Sequence, residues 1–143
     1  MKKEVVIAIK GLQYEIDKDD ALEVISAGEY YYRNGKHYVL FDEIAEDEEG
    51  CNGITKSTIK ISGDQIELLK KGANNVHMVF QQGQKNMTYY NTVLGNLLIG
   101  LDTTDINIEE SEDKIEVALN YGLEVNYNFV SDCNIQIRIL PRR

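Results

Sequence analysis

Near its carboxyl end the chain alternates. Ile115, Val117, Leu119, Tyr121, Leu123, Val125 and Tyr127 are apolar or aromatic, and Glu116, Ala118, Asn120, Gly122, Glu124 and Asn126 fall between them. Successive side chains of a strand point to opposite faces, so one set meets a core and the other meets water. At ~3.3 Å per residue an unbroken strand of this length would run roughly 40 Å. Such a length predicts a coiled, bent sheet, with Gly122 as the bend. The same period recurs at Ile135, Ile137 and Ile139, at Val5, Ile7 and Ile9, and at Leu97, Ile99, Leu101 and Thr103. Asn126-Tyr127-Asn128 separates the last two runs, which assigns Tyr127 to a turn rather than the core.

Turn signals fall between the runs. Asn34-Gly35 is the strongest, because a type I′ hairpin needs positive φ at both central residues. Ser62-Gly63-Asp64, Gln82-Gly83 and Leu94-Gly95-Asn96 read in the same way. The pattern predicts strands over 3–12, 21–33, 36–44, 54–62, 65–71, 75–81, 85–92, 95–108, 113–126 and 129–140. Two of these, Ala21–Ile25 and Gln65–Gly72, also contain good helix formers, but each adjoins a hairpin signal and is read as a strand. A short helix is a further expectation near Asp105–Asp113. The one proline, Pro141, lies beyond the last strand and blocks no ladder. Short links imply an antiparallel meander. The fold expected is all-β: one domain over residues 1–143, an up-and-down barrel of about 8–10 strands, closed so that no edge is left exposed.

Charge narrows the partners. Fifteen Lys and Arg against twenty-four Asp and Glu leave a net charge of −9. Nucleic acids and anionic membranes are bound through Lys and Arg, so neither is an expected partner. No apolar run is long enough for a transmembrane helix, and no signal peptide is expected from Met1-Lys2-Lys3, since Lys10 ends the short apolar stretch behind it. The expected location is cytoplasmic. Cys51 and Cys133 form no Cys-x-x-Cys pair, and both are expected as reduced thiols there. No metal motif, P-loop, dinucleotide fingerprint or nucleophile elbow occurs, so no cofactor, no metal and no catalytic residue are expected. The run Asp42–Glu49 holds six carboxylates in eight residues and reads as a solvated loop.

Two features carry candidate chemistry. Tyrosine occurs nine times, and Tyr30 and Tyr32 share a face while Tyr31 points the other way. A phenol has an apolar body and a polar tip, which suits the lining of a ligand cavity as well as a half-buried sheet surface. Lys70 shares the parity of Ile66 and Leu68. A lysine on an inward face snorkels, pairs with a carboxylate such as Asp42 or Glu43, or receives an anionic head group.

The run Leu69-Lys70-Lys71-Gly72-Ala73-Asn74-Asn75-Val76-His77-Met78-Val79-Phe80, followed by Tyr89-Tyr90-Asn91-Thr92-Val93-Leu94-Gly95, resembles the YwiB-like family. Glu4–Gly11, Gly28-Glu29-Tyr30 and Gly35–Val39 agree with it. The resemblance implies a calycin-type, lipocalin-like barrel and no known reaction. Lys70 and Phe41 depart from the family pattern, where arginine and tyrosine are frequent. Lysine does not reproduce a bidentate arginine contact.

The expected function is therefore non-catalytic: binding of a small, partly apolar or anionic ligand in the barrel lumen, lined by Lys70, Tyr30, Tyr32, Tyr38, Met78, Phe80 and Tyr90. A lumen filled by side chains, without a void of ~300 Å³ or more, would remove that reading. The alternative is an interaction or self-associating module with a filled core.

Overall fold

The computed structural model describes residues 3–11, 23–46, 52–72, 75–92 and 95–142. These form ten strands: β1 Glu4–Lys10, β2 Glu23–Arg33, β3 Lys36–Glu46, β4 Asn52–Ser62, β5 Gln65–Gly72, β6 Val76–Gln81, β7 Gln84–Thr92, β8 Gly95–Glu110, β9 Ile115–Val125 and β10 Asn128–Pro141. All neighbours are antiparallel, in the order β6-β5-β4-β3-β2-β1-β10-β9-β8-β7. The sheet is thus a meander whose first and last strands pair, with Val5 opposite Pro141 and Lys10 opposite Gln136. Closure is nearly complete. β6 and β7 share no ladder, but the link between them is stitched to both sides. The Gln82 amide donates to the Asp64 carbonyl at 3.1 Å, and the Gly83 amide to the Thr103 carbonyl at 2.9 Å. The Gln82 side-chain oxygen accepts from the Ile106 amide at 3.1 Å.

Turn chemistry explains the connections. Asn34 and Gly35 both have positive φ, 54° and 76°, as the hairpin expectation requires. Asn126 and Tyr127 do the same at 50° and 69° without a glycine. Asn126 is stabilised there because its side-chain oxygen accepts from the Leu98 amide at 3.0 Å.

Two expectations are corrected. The segment from Asp105 is not helical: β8 runs on to Glu110. Its apolar residues keep period two there, and β9 supplies a partner ladder from Asp105 to Glu110. Gly122 is not the bend either, since β9 is regular through it. The irregularities sit in its neighbours, as β-bulges between Thr103 and Asp105 in β8 and between Phe129 and Ser131 in β10. One extra residue in each partner supplies the local twist that the long β9 needs.

The core is the inside of the barrel. Val5, Ile7 and Ile9 from β1, Ile115, Val117, Leu119 and Leu123 from β9, and Ile135, Ile137 and Ile139 from β10 are all buried, as their parity predicted. Phe80 and Tyr121 meet edge to face with centroids 5.0 Å apart. Among the described residues, Ile9, Ile59, Ile66, Leu68, Phe80, Leu119, Ile135 and Ile137 surround a space of only about 10 Å³. That is the size of one water, not of an organic ligand. Among these described residues the side chains fill the middle of the lumen and leave no ligand-sized void. Cys133 is buried in the core, and the Tyr121 phenol is pushed up by burial and by its contact with that thiol. Cys51 lies outside the described residues.

Candidate functional site at the barrel mouth

Strand alternation gives the barrel two ends. One carries the Asn34-Gly35 turn, the Gly63-Asp64 turn, the link after Glu110 and the start of β1. At this end the lining turns polar. His37 is buried and inward, directly opposite Tyr32 in β2 and Ile61 in β4. Tyr30, opposite the buried Val39, also faces inward and packs on the core. Tyr30 stacks on the His37 ring with centroids 5.8 Å apart, and Tyr32 tilts against it at 4.9 Å.

A short hydrogen-bonded chain crosses this mouth. The Tyr30 hydroxyl lies 2.7 Å from His37 Nδ1, and His37 Nε2 lies 3.2 Å from Glu110 Oε2. With a neutral ring facing an ionised carboxylate, which only accepts, the ring proton sits on Nε2 and Nδ1 accepts from the phenol. β3 and β8 stand half-way round the ring from each other, so the contact ties opposite walls. The β8 bulge makes it available. Leu97, Ile99, Leu101 and Thr103 face inward with odd numbers. After the extra residue the inward set becomes Ile106 and Ile108, opposite Leu119 and Val117, and Glu110, opposite Ile115. Without that shift Glu110 would point outward. Burial raises the Tyr30 phenol, and the Glu110 and Tyr32 side chains add to the effect. The chain thus holds its proton on Tyr30.

Above it lies an open cleft of about 510 Å³, lined by Lys3, Tyr30, Tyr31, Tyr32 and Glu110. Tyr31 faces outward on the rim, where its hydroxyl donates to Glu29 at 2.6 Å and its ring lies 5.3 Å from the Lys3 ammonium. The Tyr31 phenol beside it raises the Lys3 ammonium, with Glu29 and Glu4 contributing.

The residues expected from sequence divide into groups. Tyr30 and Tyr32 come together at the mouth. Tyr38 does not face the lumen: it pairs with Tyr31 and Lys60 on the outer surface, with the Lys60 ammonium 5.8 Å from its ring. Met78 and Phe80 are inward but belong to the packed core, and Tyr90 packs against it. Lys70 is inward and 4% exposed, as its parity required. It stands towards the opposite end, across from Ser57 and Val76. Asp42 is exposed and follows the inward Phe41, so it lies on the outer face, away from Lys70. The Glu43 side chain lies outside the described residues. Inside the wall, Ser57 Oγ, Thr103 Oγ1 and Asn86 Nδ2 are buried with no hydrogen-bond partner among the described residues.

Sequence reasoning missed His37 and Glu110. His37 is a lone histidine in its strand, with no metal-ligand spacing around it to mark it. The signal for Glu110 was present as a switch of apolar parity between Thr103 and Ile106. Among the described residues, no group of three or more His, Cys, Asp and Glu side chains is placed to hold a metal ion. Part of the acidic run, Asp47–Glu49, lies outside them. No helix of the described residues is long and apolar enough to cross a membrane.

A nearly closed antiparallel barrel of ten strands with a polar mouth defines the class: a small all-β barrel protein. The chain belongs to the family described as domain of unknown function DUF1934, whose profile matches residues 7–137. It is similar to the uncharacterised β-barrel protein YwiB of Bacillus subtilis (strain 168), at 23% identity over 127 residues, 87% of this chain and 86% of that protein. The crystal structure of the ywiB protein from Bacillus subtilis has a TM-score of 0.75 and 19% identity, covering 99% of this chain and 93% of that one. That likeness shows a shared fold. The family match over residues 7–137 bears out the family expected from Leu69–Phe80 and Tyr89–Gly95.

Proposed function

We propose that this protein is a non-catalytic cytoplasmic barrel that binds a small, partly apolar ligand at its mouth rather than in its lumen. One observation carries the reading: the cleft of about 510 Å³ walled by Tyr30, Tyr31 and Tyr32. Its size falls in the range of ~300–1,000 Å³ usual for small-molecule sites, and its lining is mostly aromatic. Tyr30 and Tyr32 remain from the expected site. Lys70, Met78, Phe80, Tyr38 and Tyr90 leave it, because they lie in the core, against it or on the outer face.

The interaction-module reading is favoured by a separate observation. On the outer face of β7 to β10, Met87, Tyr89 and Phe129 are exposed. Exposed Asp102 and Asp132 both pair with Gly122 beneath Phe129. This patch and the net charge of −9 suit a basic, apolar segment of a partner protein. Native mass spectrometry of protein purified from its own host separates the two. An added mass of a few hundred daltons, lost in Tyr32→Ala, is the expected result. A protein partner or dimer without a small adduct, lost in Tyr89→Lys, would replace the first reading by the second.

A further inference from the structure

The ligand class follows from which groups at the mouth are already committed. Tyr30 spends its hydroxyl on His37 and Tyr31 spends its hydroxyl on Glu29. An anion entering the cleft would therefore find two of the three phenol donors used. What the tyrosines still offer is ring face, and Tyr32 is 62% exposed. An aromatic face carries negative quadrupole and attracts cations. Glu110 adds a carboxylate on the same lining. It is 57% exposed, its Oε2 takes His37, and its Oε1 has no hydrogen-bond partner among the described residues. The chain itself gives a precedent for the contact, since the Lys3 ammonium already rests at 5.3 Å from the Tyr31 ring on this cleft.

We propose that the mouth cleft binds an organic cation, a small molecule with an ammonium head group seated between the Tyr30–Tyr32 rings and Glu110, with Lys3 as an intramolecular competitor at its rim. This rests on the reading of the mouth as a ligand site. Removal of Lys3 takes a like charge off the lining and uncovers the Tyr31 ring, so it tightens binding. Loss of the Glu110 charge weakens it.

Choline and its neutral carbon isostere 3,3-dimethyl-1-butanol provide the test, titrated into the full-length protein with ring-labelled tyrosine and followed by NMR. Choline shifts the ring signals of Tyr30, Tyr31 and Tyr32 and binds about three- to tenfold tighter than the isostere, the range expected of a cation–π contact. Lys3→Ala tightens choline binding, and Glu110→Gln weakens it about threefold or more. Lys3→Ala changes only an exposed side chain, so its result stands even if Glu110→Gln loosens the mouth. Equal binding of the isostere, or weaker choline binding in Lys3→Ala, overturns the cation inference and leaves the mouth site standing. No response of these tyrosines to either probe overturns both.

Discussion

Val117→Asp unfolds the protein or leaves it in aggregates, while Glu116→Lys one residue away stays within about 1 kcal/mol of the parent. Val117 is 2% exposed and lies between Ile137 of β10 and Ile108 of β8 on the inner face. A carboxylate there loses its water and finds an apolar wall, so it costs several kcal/mol or takes up a proton. A domain of this size has roughly 5–15 kcal/mol in total, so one such residue consumes much of it. Glu116 is only half-buried and pairs with Lys114 at 3.0 Å, a partly exposed contact of small worth. Urea denaturation with a soluble-fraction assay reads both variants. A stable Val117→Asp beside an unfolded Glu116→Lys would mean that β9 is one residue out of register.

Gly28→Val costs about 3 kcal/mol or more and Gly28→Ala about 2, by overpacking. Gly28 lies within β2 with Val5 and Phe41 as its cross-strand partners. Its backbone has no positive φ. The glycine is there for space. A Cβ at this position would stand 2.6 Å from the Leu40 carbonyl oxygen, 2.7 Å from Ile7 Cδ1 and 3.1 Å from Phe41 Cβ. A side-chain methyl can turn away, but the Leu40 carbonyl is fixed in the β2–β3 region of the sheet and cannot. The expected readout is a lower denaturation midpoint at an unchanged slope, which separates lost stability from a changed unfolded state. Variants as stable as the parent would show that β1 and β3 do not crowd β2 as described.

Most of the fold was legible because period two survives in almost every strand. Ile115 to Leu123 and Ile135 to Ile139 face inward as their parity said, and Asn34-Gly35 makes the turn its chemistry demands. The failures share a cause. A bulge costs one residue and leaves no composition signal, so the bend was assigned to Gly122 instead of to the positions near Thr104 and Val130. The alternation of Ile106 and Ile108 already favoured a strand over the helix expected near Asp105–Asp113, and the ladder to β9 carries it on to Glu110.

The site was less legible for a different reason. Parity says which face a side chain takes but not whether that face encloses space. Tyr30 and Tyr32 were placed together correctly by alternation. Tyr38 was grouped with them by residue type, although its own parity, next to inward His37 and Val39, puts it outside. The meeting of His37 with Glu110 joins residues 73 apart across the ring, and no local pattern encodes such a pair. Lys70 was rightly read as inward, but the nature of its surroundings depended on how tightly Ile, Leu and Phe side chains fill the barrel.

Cysteine scanning along β9 tests the solid, regularly wound barrel most directly. In a background with Cys51 and Cys133 replaced, single cysteines are placed at Ile115, Val117, Leu119 and Leu123 and at Glu116, Ala118, Asn120 and Glu124. Native labelling by a charged thiol reagent then reads each position. The even-numbered positions react fast and the odd-numbered ones are protected until the protein unfolds. Rapid labelling at the odd-numbered positions of a still-folded protein would contradict the account, because it would require a water-filled lumen or a strand facing the other way.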